Sequence, residues 1–200
     1  MDQDTSTTRP NRNSKWLLAT LLILTLLIVF GGFQLFYKQC LFWTCAPSRS
    51  FSAFDLKLPY NLFPDGATVD DLHSPSKFDW SLESGVMSIH WREGKGGAVY
   101  HIWRYGTEWQ ASRSFAFHRR MDEEDEKYSS CPGLDYYSKF ADQYYLGCGE
   151  SRFGGYRGDL IGRYEEFVIS FNTTIDDQMS IEMFKRVLGF IDEQMEYYLK

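Results

Sequence analysis

Hydrophobic and polar positions divide the chain into three regimes. From Trp16 to Tyr37 the residues are predominantly apolar, with no charge among them. That run matches the ~20 residues that cross a hydrocarbon core. Beyond residue 85 the pattern becomes periodic. Val86 to Trp91 and Ala98 to Tyr105 alternate and are rich in β-formers, which predicts a hairpin over 85–105 around the polar, glycine-rich Arg92–Gly97. Trp109, Ala111, Ser112, Phe115, Ala116 and Met121 recur at helical spacing behind a Thr107/Gln110 capping box, which predicts a helix over 107–121. Alternation through Phe140, Asp142, Tyr144 and Leu146 predicts one or two strands within 127–150. A glycine-rich turn at 151–158 leads into one long strand over 159–172, irregular at Glu165-Glu166. Ile181, Phe184, Val187, Leu188, Ile191, Met195 and Tyr198 then mark an amphipathic helix over 180–200, with Ser180 as its N-cap. Residues 59–84 hold three prolines and a Pro64-Asp65-Gly66 turn, with little periodicity.

This order predicts an α+β fold, a mostly antiparallel sheet with two helices on one face. The organisation is a cytoplasmic tail (1–15), a transmembrane helix (16–37), a juxtamembrane segment (38–58) and one extracytoplasmic domain (59–200). The apolar run has three readings. A cleaved signal peptide would have an apolar core of 7–15 residues and a small-residue cleavage site. Here the apolar character continues past Gly31-Gly32, and no Ala-x-Ala pattern follows. A lipoprotein signal ending at Cys40 would need small residues where Tyr37, Lys38 and Gln39 stand. The remaining reading is an uncleaved anchor whose partner is the lipid bilayer.

Charge and cysteine usage orient it. Arg9, Arg12 and Lys15 precede the span, against Lys38 and Arg49 after it, a narrow positive-inside bias. All four cysteines, Cys40, Cys45, Cys131 and Cys148, follow the span, which fits an oxidising compartment. A plasma-membrane, single-pass protein with a cytoplasmic N-terminus is expected. Residues 1–15 hold three basic and two acidic groups, so the total of −6 leaves −7 for the rest. An acidic ectodomain excludes nucleic acid as a partner. A Cys131–Cys148 bridge would close a loop of about sixteen residues and contribute on the order of 3 kcal/mol. Cys40 and Cys45 can pair only if helix does not run through both, and their spacing is not the Cys-x-x-Cys of redox proteins.

Chemistry-bearing motifs are sparse. Gly94-Lys95-Gly96-Gly97 lacks phosphate-loop spacing. His73, His90, His101 and His118 lack metal-ligand spacing, although His90 and His101 would face each other across the hairpin. The acidic run Asp122–Glu126 lacks the alternating ligands and glycine of a calcium loop and reads as solvated. No cofactor is implied. Trp91, Trp103, Tyr105 and Trp109 cluster along the hairpin and helix, and are either a binding surface or an aromatic core.

Gly97–Tyr105 followed by a helix, with Gly162–Phe171 followed by the final helix, resembles small extracytoplasmic domains of bacterial lipoproteins and single-span membrane proteins, including sensor-type modules. The likeness covers residues 97–200 at the level of pattern and transfers no catalytic residue. It implies a non-enzymatic binding or accessory module for a small ligand or a membrane-protein partner. An extracytoplasmic hydrolase with a carboxylate site is the alternative, and a disulfide redox component using Cys40 and Cys45 the third.

Overall fold

The computed structural model describes residues 12–35, 39–40, 44–75, 80–123, 128–150 and 155–200. Helix α1 (Arg12–Phe33) contains the apolar window Trp16–Phe33, none of which is buried against the rest of the protein. At 1.5 Å per residue this window is ~27 Å long, close to a ~30 Å hydrocarbon core. Its two polar side chains are neutralised internally. The Thr20 and Thr25 hydroxyls donate to the carbonyls of Trp16 and Leu21, each at 2.9 Å. By length and composition α1 is a candidate membrane span.

The domain is built on a seven-stranded antiparallel sheet. Its strands are β1 (Thr68–Val69), β2 (Glu83–Trp91), β3 (Gly96–Arg104), β4 (Tyr128–Ser129), β5 (Gln143–Glu150), β6 (Tyr156–Tyr164) and β7 (Phe167–Thr174). Their order in space is β1-β2-β3-β7-β6-β5-β4. Helix α2 (Glu108–Glu123) follows β3, and α3 (Ile181–Leu199) follows β7. The fold is therefore α+β, and the 85–105 hairpin, both helices of the domain and the β5 region lie where the periodicity places them. Ser180 caps α3 by accepting from the Met183 N–H at 3.2 Å. The Thr107 hydroxyl likewise accepts from the Gln110 N–H at 3.1 Å. The short edge strands β1 and β4 expose little unpaired backbone.

Three expectations need correction. First, the helices of the domain lie on opposite faces. Tyr100 and Ile102 of β3 belong to the main core with Leu160 and Phe171, beneath Phe184 and Leu188 of α3. The next residues on the other face, Trp103 and Tyr105, pack with Ile161 and Val168 beneath Ala111 and Phe115 of α2. The central strands are apolar on both faces, as Leu160-Ile161 and Phe167-Val168-Ile169 show, so each face needs its own cover. On α2 only a narrow stripe is buried, and Trp109 and Met121 remain exposed.

Second, 159–172 is not one strand. It holds most of β6 and β7, joined by a turn at Glu165-Glu166 in which Glu165 takes φ +52°. Third, β6 begins at Tyr156, so the turn after Glu150 is shorter than 151–158; residues 151–154 lie outside the described residues. Of the acidic run, residues 124–126 and the side chains of 122 and 123 also lie outside them.

One polar node ties a long loop to α3. Cys131 and Cys148 form a disulfide, Cα to Cα 4.7 Å, which fastens the loop before β5 to that strand. Within the loop, Tyr136 and Ser138 donate to the Asp192 carboxylate at 2.7 Å each. Tyr164 of β6 adds a third hydroxyl at 2.7 Å, and the Lys139 N–H a fourth donor at 3.3 Å. Asp192 is 5% exposed and occupies the buried stripe of α3. Burial, reinforced by the Asp192 charge, pushes the Tyr136 and Tyr164 phenols well above their ordinary range, so both remain donors. Tyr100 contrasts with them. Its hydroxyl is fully buried, with no hydrogen-bond partner among the described residues.

Asp192→Ala should leave the Ser138 and Tyr164 hydroxyls without an acceptor and Tyr136 with only the Leu188 carbonyl at 3.0 Å, destabilising the domain by about 3 kcal/mol, whereas Tyr100→Phe should be neutral or stabilise it by up to about 1 kcal/mol. Urea unfolding of the full chain in detergent checks both signs; equal losses would contradict the assigned bonding.

Candidate functional site

The segment between α1 and the sheet is seated on the domain by buried charge. Glu166, in the β6–β7 turn, has no side-chain exposure. Arg49 of the juxtamembrane segment grips it bidentately, Nε to Oε1 at 2.9 Å and the second nitrogen to Oε2 at 3.0 Å, and also donates to Glu165. Arg104, at the end of β3, approaches Glu166 at 3.6 Å and donates to Glu83 at 3.0 Å and to the Pro47 carbonyl at 3.1 Å. Glu83 in turn accepts from the Ala53 N–H at 2.7 Å. The bond to Glu166 raises the pKa of Arg49 above its ordinary value, overcoming the opposing effect of burial. Planar, forked guanidinium groups suit this geometry where a lysine would not.

Backbone pairing continues the attachment. The Ala46 N–H donates to the Gly106 carbonyl at 2.7 Å, and Cys40 and Cys45 form a disulfide with Cα atoms 4.9 Å apart. Phe51 packs between Phe167, on which it stacks at 5.3 Å, and Tyr198 of α3, tilted at 4.7 Å. Leu41-Phe42-Trp43 lies outside the described residues. The two disulfides fit an extracytoplasmic domain.

The four aromatics picked out in the sequence do not form one surface. Trp91 is 2% exposed on the α3 face, where its indole donates to Asp176 at 3.1 Å and lies over Gly96. A Cβ at Gly96 would collide with that ring. Trp103 and Tyr105 are buried on the α2 face. Tyr105 shares a 2.7 Å hydrogen bond with Ser114, and Trp103 packs between His101 and His118 at 5.0 and 4.6 Å. Only Trp109 is exposed, at 65%. The sheet has two faces to cover, and the large rings are consumed in covering them. His90 and His101 do not face each other, since the register sets His90 against Gly97 and His101 against Val86. Among the described residues no group of three or more metal-ligating side chains comes together.

What the pattern missed is a cleft of about 660 Å³ between the 57–72 segment, β2 and α3. Leu58, Leu72 and Met87 form its buried apolar floor, with Phe190 of α3 on one wall. Tyr60 stands at the rim, 79% exposed, near the exposed Lys57–Asp71 ion pair at 3.2 Å. Residues 57–72 have no periodicity to reveal it. Their only sequence signal is apolar residues recurring among prolines and turn residues.

Asp176 holds the β7–α3 turn. Burial pushes its carboxyl up, but donation from the Met179 N–H, the Trp91 indole, the Gln178 N–H and Arg92 outweighs this and holds it below the usual range. A depressed folded value contributes stability above about pH 4, which is lost as pH falls through it. Asp176→Asn should therefore flatten the acid limb of the stability profile, and an unchanged limb would remove Asp176 as its source. Glu166→Ala should cost about 3–5 kcal/mol by leaving two arginines facing a void. Arg49→Ala should speed hydrogen exchange over 46–56 while leaving β6 and β7 protected; uniform deprotection would contradict a local clamp. No family model, curated protein or solved structure matches this chain.

Proposed function

We propose that this chain is a membrane-anchored, extracytoplasmic binding or accessory module. α1 anchors it, the N-terminus lies in the cytoplasm, and the α+β domain works outside. The observation that carries the binding reading is the cleft of about 660 Å³, with its apolar floor and the exposed ring of Tyr60 at its rim. Pockets of that size, apolar with a few polar groups at the edge, are where ligands bind. The clamp on Glu166 supports the accessory role, because it holds the domain against the segment that leaves α1. The disulfides support the outside location, and the resemblance to extracytoplasmic modules of single-span proteins points the same way.

The occupant that fits is a partner presenting apolar side chains. The open mouth suits a segment of polypeptide, and Asp70 at the rim, beside the Lys57–Asp71 pair, favours a partner with nearby positive charge.

Two measurements test this. Co-purification from membranes in mild detergent should recover a partner with the wild type and lose it by about tenfold with Ala67→Arg, which plugs the cleft. Undiminished recovery by a variant with a normal unfolding curve would remove the cleft from the reading. Thiol labelling of intact cells should find all four cysteines unreactive until a reductant is added. Reactive Cys131 and Cys148 on the cytoplasmic side would overturn the location.

A further inference from the structure

The end of the sheet nearest the anchor follows from connectivity. Leu35 and Gln39 are four residues apart, so their Cα atoms lie within about 14 Å. With Trp16–Phe33 filling the hydrocarbon core, Leu35 lies at the inner edge of a headgroup layer of about 5–8 Å. Gln39 therefore lies within about 14 Å of the end of the span, in the headgroup layer or just beyond it. Its amide donates to the Ser81 carbonyl at 3.5 Å, which places Trp80 and Leu82 at the same level.

Trp109 arrives there by a second route. Cys40 is bonded to Cys45, and Cys45, Ala46 and Pro47 line one side of a cavity of about 410 Å³ with Trp109 on the other. The sheet register agrees. The Leu82 N–H donates to the Arg104 carbonyl at 2.7 Å, so the start of β2, the end of β3 and the start of α2 share one end of the domain. Among the described residues at this end, Trp80 is 74% exposed, Leu82 39% and Trp109 65%. The Arg113 guanidinium lies 4.9 Å over the Trp109 ring.

We infer that Trp80, Leu82 and Trp109 form an interfacial foot that seats the domain on the lipid headgroups beside its own anchor. The inference rests on α1 spanning the membrane. Indole rings favour the headgroup level, where the apolar body is shielded and the N–H stays wet, and an arginine over the ring suits the same boundary. Charge selects the lipid. At this end Arg49 pairs with Glu165 and Glu166, Arg104 with Glu83 and Glu166, and Arg163 with Glu108 and Asp142, while Arg113 lies over Trp109, so the arginines are already compensated and leave no excess positive charge to hold anionic lipid. The foot therefore binds zwitterionic headgroups through its rings, without needing anionic lipid, and resists salt. Two attachments, the span and the foot, also fix which way the cleft points.

The test uses the full chain in phosphatidylcholine vesicles containing brominated phosphatidylcholine, with tryptophan quenching as the readout. Trp80→Phe and Trp109→Phe should each lower the quenched fraction, and the double variant by about twofold, at both low and high salt. Trp16→Phe serves as the internal standard for the span. If Trp16→Phe lowers quenching but the foot variants do not, the anchor is inserted and the foot is wrong. If that null result comes with a wild-type dimer in detergent that Trp80→Ala/Trp109→Ala dissociates, the patch belongs to a second copy. If the wild type shows no quenching and washes off with carbonate, the anchored reading fails first and takes the foot with it.

Discussion

The charge of Glu166 organises the architecture of this domain. A carboxylate with no exposure requires compensation, because the cost of removing an ion from water is several kcal/mol. Compensation comes from Arg49, outside the sheet, and Arg104, at the end of β3. Meeting that demand fixes several features together. It defines the path of the segment between α1 and the sheet. It holds a two-residue turn whose first residue has a left-handed backbone with no glycine or asparagine to favour it. It also ties the segment that follows α1 to the end of the sheet where β2 starts and β3 ends. The turn is specified less by its own residues than by the partners gathered around them, including Asp142, which accepts from the Glu165 N–H at 2.7 Å.

Asp192 repeats this logic on the α3 face with neutral donors. Its carboxylate takes hydroxyls from the disulfide-closed loop and from β6, so one residue of the final helix joins that loop to the sheet. Between them the two buried acids fasten both irregular parts of the domain to its regular part. Such attachment lets a chain with long irregular stretches present defined surfaces. The cleft lies between an irregular wrap, a strand and a helix, and the exposed Trp80 and Trp109 rings sit on a short lead into β2 and the first turn of α2.

The aromatic residues show how far pattern reaches. Alternation along β3 correctly separates Trp103 and Tyr105 from Tyr100 and Ile102, because side chains alternate across a strand whatever packs on them. Alternation cannot say whether a face meets solvent or a helix. Trp91, Trp103 and Tyr105 proved to be core, and only Trp109, off the buried stripe of α2, reaches the surface. Of the two readings the sequence left open for these rings, core describes three and exposure one. The cleft was not, since it arises where residues distant in sequence meet.

Several properties belong to the sequence alone. The candidate span α1 is set by an uncharged apolar run of bilayer length, a local property that packing does not alter. The placement of every cysteine beyond it, the β2–β3 hairpin and the stripe of α3 are likewise local, because each rests on spacing along one stretch of chain. Other properties were decided by tertiary structure: which face α2 covers, where 159–172 breaks into two strands, and where the cleft opens. These depend on pairings such as Arg49 with Glu166, separated by 117 residues, and on two apolar sheet faces competing for cover. No periodicity within a single segment encodes such long-range compensation.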